Sequence, residues 1–380
     1  MNAPNQVESL LRDPRRNVEI NLGKACNHKC VFCLDGVPSK EDKRFMPFDE
    51  LKTELERWRD EGHLSVGFLG GEPTVHPHII EAVAHARQLG FTRIAVATNA
   101  LMFRREKFVD GMIDAGLTRV TISMHGHTQE LEERLTEVPG GYAKKLTAIA
   151  HLQDRMRRNG ALPDGLSVNI VLNGWNYRHL PQMMKFFFDE VGLDDLRVNF
   201  VRPEGYAEAN ASLTPTYTEV VPVLMKAILL NEHRFKKTFT FGGFPMCVLP
   251  DELLNSKHLL PRYMGDIYRD LSTDCSIRSE AFGGHGVAQV DGGRARFNWQ
   301  DRKRYDLKHH VATCNDCELG ATCEGVWRGY LDIYGPTEAS AVRRERGLLR
   351  RESPRLKEPP KAAPHTVGFV LRRTKRKKSA

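Results

Sequence analysis

The sequence predicts an α/β fold: a partial (β/α)6 TIM-like barrel followed by a small cysteine-anchored α+β module. Three observations carry that expectation. Short β-rich runs alternate with amphipathic helical runs from Val18 to Val201, which implies βα units and a parallel sheet. Cys26, Cys30 and Cys33 lie in a loop directly after the first apolar run. A second cysteine group, Cys314, Cys317 and Cys323, follows a glycine-rich stretch whose periodicity is weak.

The strand candidates are Val18–Leu22, Leu64–Leu69, Arg93–Ala97, Val120–Met124, Ser167–Leu172 and Leu196–Val201. Helical patterns fall between them at Phe48–Arg59, Ile79–Leu89, Lys107–Ala115, Tyr142–Arg157 and Arg178–Val191. Phe48–Arg59 shows the pattern most clearly, with Leu51, Leu55 and Trp58 at helical spacing. Six strands fall short of the eight that close a barrel of this kind, so the barrel is read as partial and open. Val287–Val290 and Ala295–Trp299, split by Asp291-Gly292-Gly293, read as a hairpin. The chain divides into an N-terminal extension (1–15), the barrel (16–204), a helical connector (205–240), the cysteine-anchored module (241–340) and a basic tail expected to be disordered (341–380).

Bulk composition narrows the class. A chain of 380 residues with 41% hydrophobic and 27% charged residues is globular. No stretch is read as approaching the roughly 18 apolar residues of a membrane span. The N-terminus lacks the apolar core of a signal peptide, so a cytoplasmic location is expected. In that setting eight cysteines point to metal ligands or catalytic thiols rather than disulfides. The net charge of +8 is unevenly placed: residues 341–380 hold 14 Lys+Arg against 3 Asp+Glu, and the other 340 residues hold 42 against 45. The basic balance therefore belongs to the tail and does not argue for a nucleic-acid-binding fold.

The first cysteine group has the spacing C-x3-C-x2-C, with Phe32 before the last cysteine. Soft thiolates at such spacing suit zinc or an iron–sulfur cluster. Three ligands rather than four leave a position open for chemistry. The other reading is a zinc knuckle completed by His28. Gly70-Gly71-Glu72-Pro73 follows 37 residues after Cys33, at the end of the second strand. Thr98-Asn99, Ser123, His125, Asn173 and Arg202 fall at later strand ends on the same rim, where parallel α/β folds place their sites.

The cysteine spacing followed by Gly-Gly-Glu-Pro resembles the radical S-adenosylmethionine (radical SAM) superfamily over residues 16–202. The resemblance implies that Cys26, Cys30 and Cys33 hold a [4Fe-4S] cluster whose fourth iron binds S-adenosylmethionine. One electron then cleaves the cofactor to a 5′-deoxyadenosyl radical that abstracts hydrogen from a substrate. It also implies that Gly70, Gly71 and Glu72 meet the methionine amino group, that Thr98, Asn99 and Ser123 contact ribose and carboxylate, and that Asn173 lies by the adenine. A one-electron donor such as a flavodoxin or ferredoxin is implied as a partner. Cys314-x2-Cys317-x5-Cys323 resembles part of the SPASM or twitch extensions of that family. These hold auxiliary [4Fe-4S] clusters, and a fourth ligand is needed here. Cys247 is the first choice and Cys275 the second, and the thiol left over is a buried small hydrophobe or a hydrogen-atom donor. Five cysteines beyond the first three are too few for two fully cysteine-ligated cubes. Zinc at the second group is the alternative.

The expected function is radical SAM modification of a peptide or protein, with a small metabolite as the second reading and a zinc-binding scaffold as the non-enzyme reading. The barrel begins almost at once, leaving no room for an N-terminal peptide-recognition domain. His76 with His78, and His125 with His127, are read as loop or substrate contacts rather than ligands. Trp175, Tyr177 and Tyr206 are candidates for shaping the substrate cavity.

Overall fold

The computed structural model describes residues 14–34, 44–278, 284–290 and 294–351. All six expected strands form: β1 (Asn17–Asn21), β2 (Ser65–Leu69), β3 (Arg93–Thr98), β4 (Arg119–Ser123), β5 (Gly165–Leu172) and β6 (Asp195–Phe200). The helices between them are α1 (Phe48–Asp60), α2 (Ile79–Gln88), α3 (Glu106–Ala115), α4 (Gln129–Thr136), α5 (Gly141–Asn159) and α6 (Leu180–Lys185). After these come α7 (Tyr217–Leu230), β7 (Thr238–Gly242), β8 (Thr273–Arg278), β9 (Ala288–Val290) and β10 (Arg294–Asn298).

The α/β barrel class holds, but the strand count grows. One ten-stranded sheet runs β7-β6-β5-β4-β3-β2-β1-β8-β10-β9. β7 pairs parallel with β6, and β8 pairs parallel with β1, so eight strands run parallel rather than six. β10 pairs antiparallel with β8 and with β9, which realises the expected hairpin. The segment read as a connector thus supplies one strand to the barrel sheet. The segment read as a separate module supplies three.

Alternation along the strands sorts the side chains. Val18, Ile20, Val66, Phe68, Val120, Ile122, Val168 and Ile170 are buried and belong to the apolar core. The other face turns inward and is polar or small: Asn17 and Glu19 on β1, Gly67 on β2, Ala95 on β3, Thr121 on β4, Asn169 on β5 and Arg197 on β6 line a cavity of about 390 Å³. The barrel is therefore hollow, where a closed eight-stranded barrel is filled by branched side chains. A polar network closes its base. The Arg119 guanidinium donates to Asp195 at 2.8 Å and to the Asp164 carbonyl, and Arg15 pairs with Asp164 at 2.8 Å.

Two expectations change in the C-terminal half. Ala211–Phe235 is long and apolar enough to pass for a membrane span by length and composition, but 56% of that window is buried inside the protein. The face of α7 carrying Val220, Leu224 and Ile228 packs into the core, so the apolarity is that of a core helix. Residues 341–351, read as the start of a disordered tail, form a hairpin of β13 (Val342–Glu345) and β14 (Leu348–Arg351). It follows a small ladder of β11 (Lys308–His309) with β12 (Val326–Trp327). Residues 1–13 of the N-terminal extension and 352–380 of the tail lie outside the described residues.

Candidate active site

The loop carrying Cys26, Cys30 and Cys33 leaves β1 at the C-terminal rim. Asn21 starts it, its carboxamide oxygen accepting from the Gly23 amide at 2.8 Å. The loop then lies against the Gly-Gly-Glu segment after β2. The Gly71 amide donates to the Gly23 carbonyl at 2.8 Å, and the Glu72 amide to the Ala25 carbonyl at 2.8 Å. A Cβ on Gly70 would meet the Gly23 carbonyl oxygen at 2.5 Å, and one on Gly71 would meet the Ala25 carbonyl oxygen at 2.4 Å. The two glycines thus let the cysteine loop dock backbone to backbone. On its far side the loop is pinned to the end of α4, with the Lys29 and Val31 amides donating to the Thr136 and Leu135 carbonyls. The Phe32 ring stands edge-on to His125, with centroids 4.7 Å apart.

The three thiols, Gly70, Gly71, Glu72, Thr98, Asn99 and Ser123 all line one cavity of about 420 Å³. That volume suits a cofactor-sized ligand. Burial pushes the Cys26 thiol up to about 11 and the Cys30 thiol up to about 12, with their neighbouring thiols adding to the shift. A bound cation is what would offset that cost. Glu72 is 3% exposed. Its carboxylate accepts from the Thr74 amide at 3.0 Å, the Thr74 hydroxyl, the Thr98 hydroxyl at 2.6 Å and the Asn99 amide at 2.6 Å. Burial still holds its pKa above the usual carboxylate range, and it has no ion pair among the described residues. An ammonium group in the cavity would relieve that cost. Glu72 therefore does more than the sequence implied, because it also orders the end of β3 that carries Thr98 and Asn99.

Asn173 departs from its expected place. Its side-chain nitrogen donates to the Val171 carbonyl at 3.0 Å, and its side-chain oxygen accepts from the Trp175 amide at 2.9 Å. The side chain is spent on its own turn, and Val171 is the β5 residue that lines the cavity. Trp175 and Tyr177 also stay outside the lining. The Trp175 indole donates to Ser212, and the Tyr177 hydroxyl to Glu219. Tyr206 does line it, and its amide donates to the Cys33 carbonyl. His76 bonds the Met46 carbonyl at 2.8 Å, and the His127 ring lies 5.5 Å from that of His179, tilted by 40°.

His125 is the wall residue that sequence reasoning undervalued. It is fully enclosed, and its Nδ1 accepts from the Val171 amide at 3.1 Å. Its backbone amide and that of Gly126 donate to Glu132, which is paired with Lys145 at 2.5 Å, both side chains at 0% exposure. Burial holds the ring neutral, its pKa well below the usual histidine value. Arg202 and Trp299 complete the mouth. The Arg202 guanidinium sits 5.3 Å from the Trp299 ring and 5.2 Å from Trp327, and Lys308 lies 4.6 Å over the same Trp327. This alternation of cations and indoles joins the cavity to the second cysteine group.

At that second group, Cys247 lies in the turn Met246–Val248, and the Met246 amide donates to Cys323 Sγ at 3.4 Å. The Gly325 amide donates to the same sulfur, and the Val342 amide donates to Cys317 Sγ at 3.4 Å. Burial raises Cys247 to about 12, with Cys323 and Cys314 close enough to add to it. Cys275 lies elsewhere: it sits on β8 in register with Glu19, on the inner face of the barrel. Of the two candidates for a fourth thiol, the structure brings Cys247 to the group and not Cys275. Among the described residues no three His, Cys, Asp or Glu side chains converge on a single point at either group.

Comparisons with known proteins agree with this geometry. Residues 20–187 match the radical SAM superfamily model. A PqqA peptide cyclase of Rhodopseudomonas palustris is 31% identical over 204 residues, 53% of this chain and 52% of that protein. A GTP 3',8-cyclase of Xanthomonas axonopodis pv. citri is 27% identical over 169 residues, 42% of this chain and 50% of that protein. The chain spans about half the length of these relatives. The crystal structure of Streptococcus suis SuiB bound to S-adenosylmethionine shares the fold, with a TM-score of 0.55 and 16% identity over 84% of this chain and 74% of that one. With its three-thiol loop, its glycine-docked cradle and the match over residues 20–187, the chain carries the domain of the radical SAM superfamily, whose enzymes use a [4Fe-4S] cluster and S-adenosylmethionine.

Proposed function

We propose that this chain modifies a peptide or protein, using S-adenosylmethionine at the Cys26, Cys30 and Cys33 site and an auxiliary [4Fe-4S] cluster held by Cys247, Cys314, Cys317 and Cys323. The observation that carries the two-centre reading is the gathering of Cys247 with the second cysteine group. Four thiols complete a cube, whereas the three at the barrel rim leave one iron open. When bound, the rim cluster and S-adenosylmethionine supply one-electron cleavage of a C–S bond and a carbon radical that takes hydrogen from the substrate.

The protein's own part is positioning and exclusion of water. Cys26, Cys30 and Cys33 would each hold one iron, and Gly70 and Gly71 fix their loop against β2. Glu72 would take the ammonium group of the cofactor, for which its buried carboxylate has acceptor capacity and no cation beside it among the described residues. Thr98, Asn99 and Ser123 offer polar groups along the same wall, and His125, Phe32 and Val171 supply apolar surface. Arg202 presents a guanidinium at the mouth, held between two indoles.

The peptide substrate leans on the likeness to a protein named PqqA peptide cyclase. The GTP 3',8-cyclase relative favours a small phosphorylated metabolite as the second reading. Anaerobic turnover with a panel of candidate peptides and with purine nucleotides separates them. A peptide product with altered mass supports the proposal. Turnover of a nucleotide, with every peptide giving only uncoupled 5′-deoxyadenosine, overturns it.

A further inference from the structure

We propose that the β13–β14 hairpin and the Cys314–Cys317 loop together form the docking face for an acidic one-electron carrier protein. The inference rests on the auxiliary centre proposed above and adds its partner surface.

The two cysteine loops face different surroundings. The rim loop closes over a cavity, with His28 and Phe32 buried. The Cys314–Cys317 loop faces solvent: Ala312, Thr313, Asn315, Asp316 and Glu318 are exposed, and both cysteines are partly so. This is the side on which electrons can reach the chain from another protein without crossing the barrel.

The hairpin is bolted to that loop. The Glu318 amide donates to the Val342 carbonyl at 2.9 Å, the Arg344 amide to the Glu318 carboxylate at 2.6 Å, and the Val342 amide to Cys317 Sγ. Val342 and Leu349 face the protein and are buried. The opposite face carries Arg343, Arg350, Leu348 and Glu345, all exposed, and Arg346 stands exposed at the tip. Arg343 and Arg350 are direct cross-strand partners. Like charges so placed repel and favour an anionic cover. Asp316 at 3.5 Å from Arg343 and Asp251 at 3.3 Å from Arg350 offset this in part, but exposed pairs of that kind are weak and exchange readily.

Charge over the whole chain points the same way. From residue 341 onward there are 14 Lys+Arg against 3 Asp+Glu, while the preceding 340 residues carry 42 against 45. Within the described hairpin, residues 341–351 hold five arginines against one glutamate, and that local excess beside the solvent-facing cysteines steers an acidic partner to this spot. The exposed Leu348, cross-strand from Glu345 and two residues from both Arg346 and Arg350, gives such an interface an apolar contact. The redox balance is simple. The carrier gives up one electron and is oxidised by one electron, the chain accepts it, and no bond or proton changes hands.

The test uses the full, cluster-loaded chain and a flavodoxin hydroquinone as probe, followed by stopped-flow at several salt concentrations. Dithionite serves as a small reductant that needs no docking face. The triple variant R343E/R346E/R350E leaves both cysteine groups intact. We expect its reduction by flavodoxin to slow by about tenfold at low salt and to lose its salt dependence, with the dithionite rate unchanged. A variant within twofold of the parent at every salt overturns the proposal. So does one that loses affinity for RNA or anionic vesicles while keeping its flavodoxin rate. Iron content and flavodoxin binding by titration are read separately. About four irons per chain instead of about eight removes the auxiliary centre. Salt-dependent flavodoxin binding lost in the triple variant still supports the docking face.

Discussion

Gly71→Ala tests the claim that the glycine motif exists to seat the cysteine loop. Gly71 has an ordinary backbone conformation, so alanine there adds bulk without dihedral strain. The added Cβ would stand 2.4 Å from the Ala25 carbonyl oxygen and 2.5 Å from that of Lys24. Both are backbone atoms of the loop, so relief to an ordinary contact of about 3.4 Å requires the loop itself to retreat by roughly 1 Å. Overpacking of this kind costs about 1–3 kcal/mol, and with an unfolding entropy of about 0.8 kcal/mol per kelvin for 380 residues, a loss of about 2 kcal/mol lowers the melting temperature by roughly 2–3 °C. The larger effect falls on chemistry, because a displacement of about 1 Å at a site costs on the order of 100-fold in rate. The assay is anaerobic reconstitution, iron determination and 5′-deoxyadenosine formation. Gly111→Ala on α3 serves as a control, since its backbone conformation is ordinary and a Cβ there meets the flexible terminal Cδ1 of Ile80, at 3.1 Å. We expect Gly71→Ala to lose about half the iron and about two orders of magnitude in cleavage, and the control to lose neither. Full iron with cleavage within threefold of the parent would refute the seating argument.

Other outcomes follow from the same geometry. Lys145→Met leaves Glu132 buried without its cation and should cost about 3–5 kcal/mol by urea denaturation; a loss under about 1 kcal/mol would contradict the buried pair. Burial raises Glu19 to about 7 from 4.5, so the folded chain holds a proton that the unfolded chain releases. Stability then falls as pH rises from about 4.5 to 7, by at most about 3 kcal/mol. Glu19→Gln should flatten that slope, and an unchanged slope would sink the assignment. Cys247→Ala should remove about four irons per chain and Cys275→Ala none; the reverse pattern would exchange their roles.

Much of the barrel was legible because its outer face is a simple code. Val18 with Ile20, Val120 with Ile122 and Val168 with Ile170 repeat at the strand period, and the helices between them repeat at theirs. β8 was hidden because its outward positions are polar. The Ser276 hydroxyl donates to Glu54 and the Asp274 carboxylate meets His63 at 2.8 Å, so no apolar alternation marks the strand. β13 and β14 were hidden by their arginines, which read as a solvated tail, while only Val342 and Leu349 anchor them. At the site, residue types and spacing gave the thiols and the Gly-Gly-Glu segment. They could not reveal that Asn173 spends both its polar atoms on its own turn, or that Glu72 braces β3. Those outcomes depend on which donors lie nearby in space. Cys247 and Cys275 were indistinguishable by spacing, and only the placement of β8 beside β1 separates them.

The most direct measurement of the central claim is 5′-deoxyadenosine formed from S-adenosylmethionine by anaerobically purified, dithionite-reduced protein, with Cys30→Ala beside it. The account predicts a brown protein with about eight irons per chain that forms 5′-deoxyadenosine, and a variant that forms none. A colourless, zinc-loaded protein, or cleavage that survives Cys30→Ala, would contradict it.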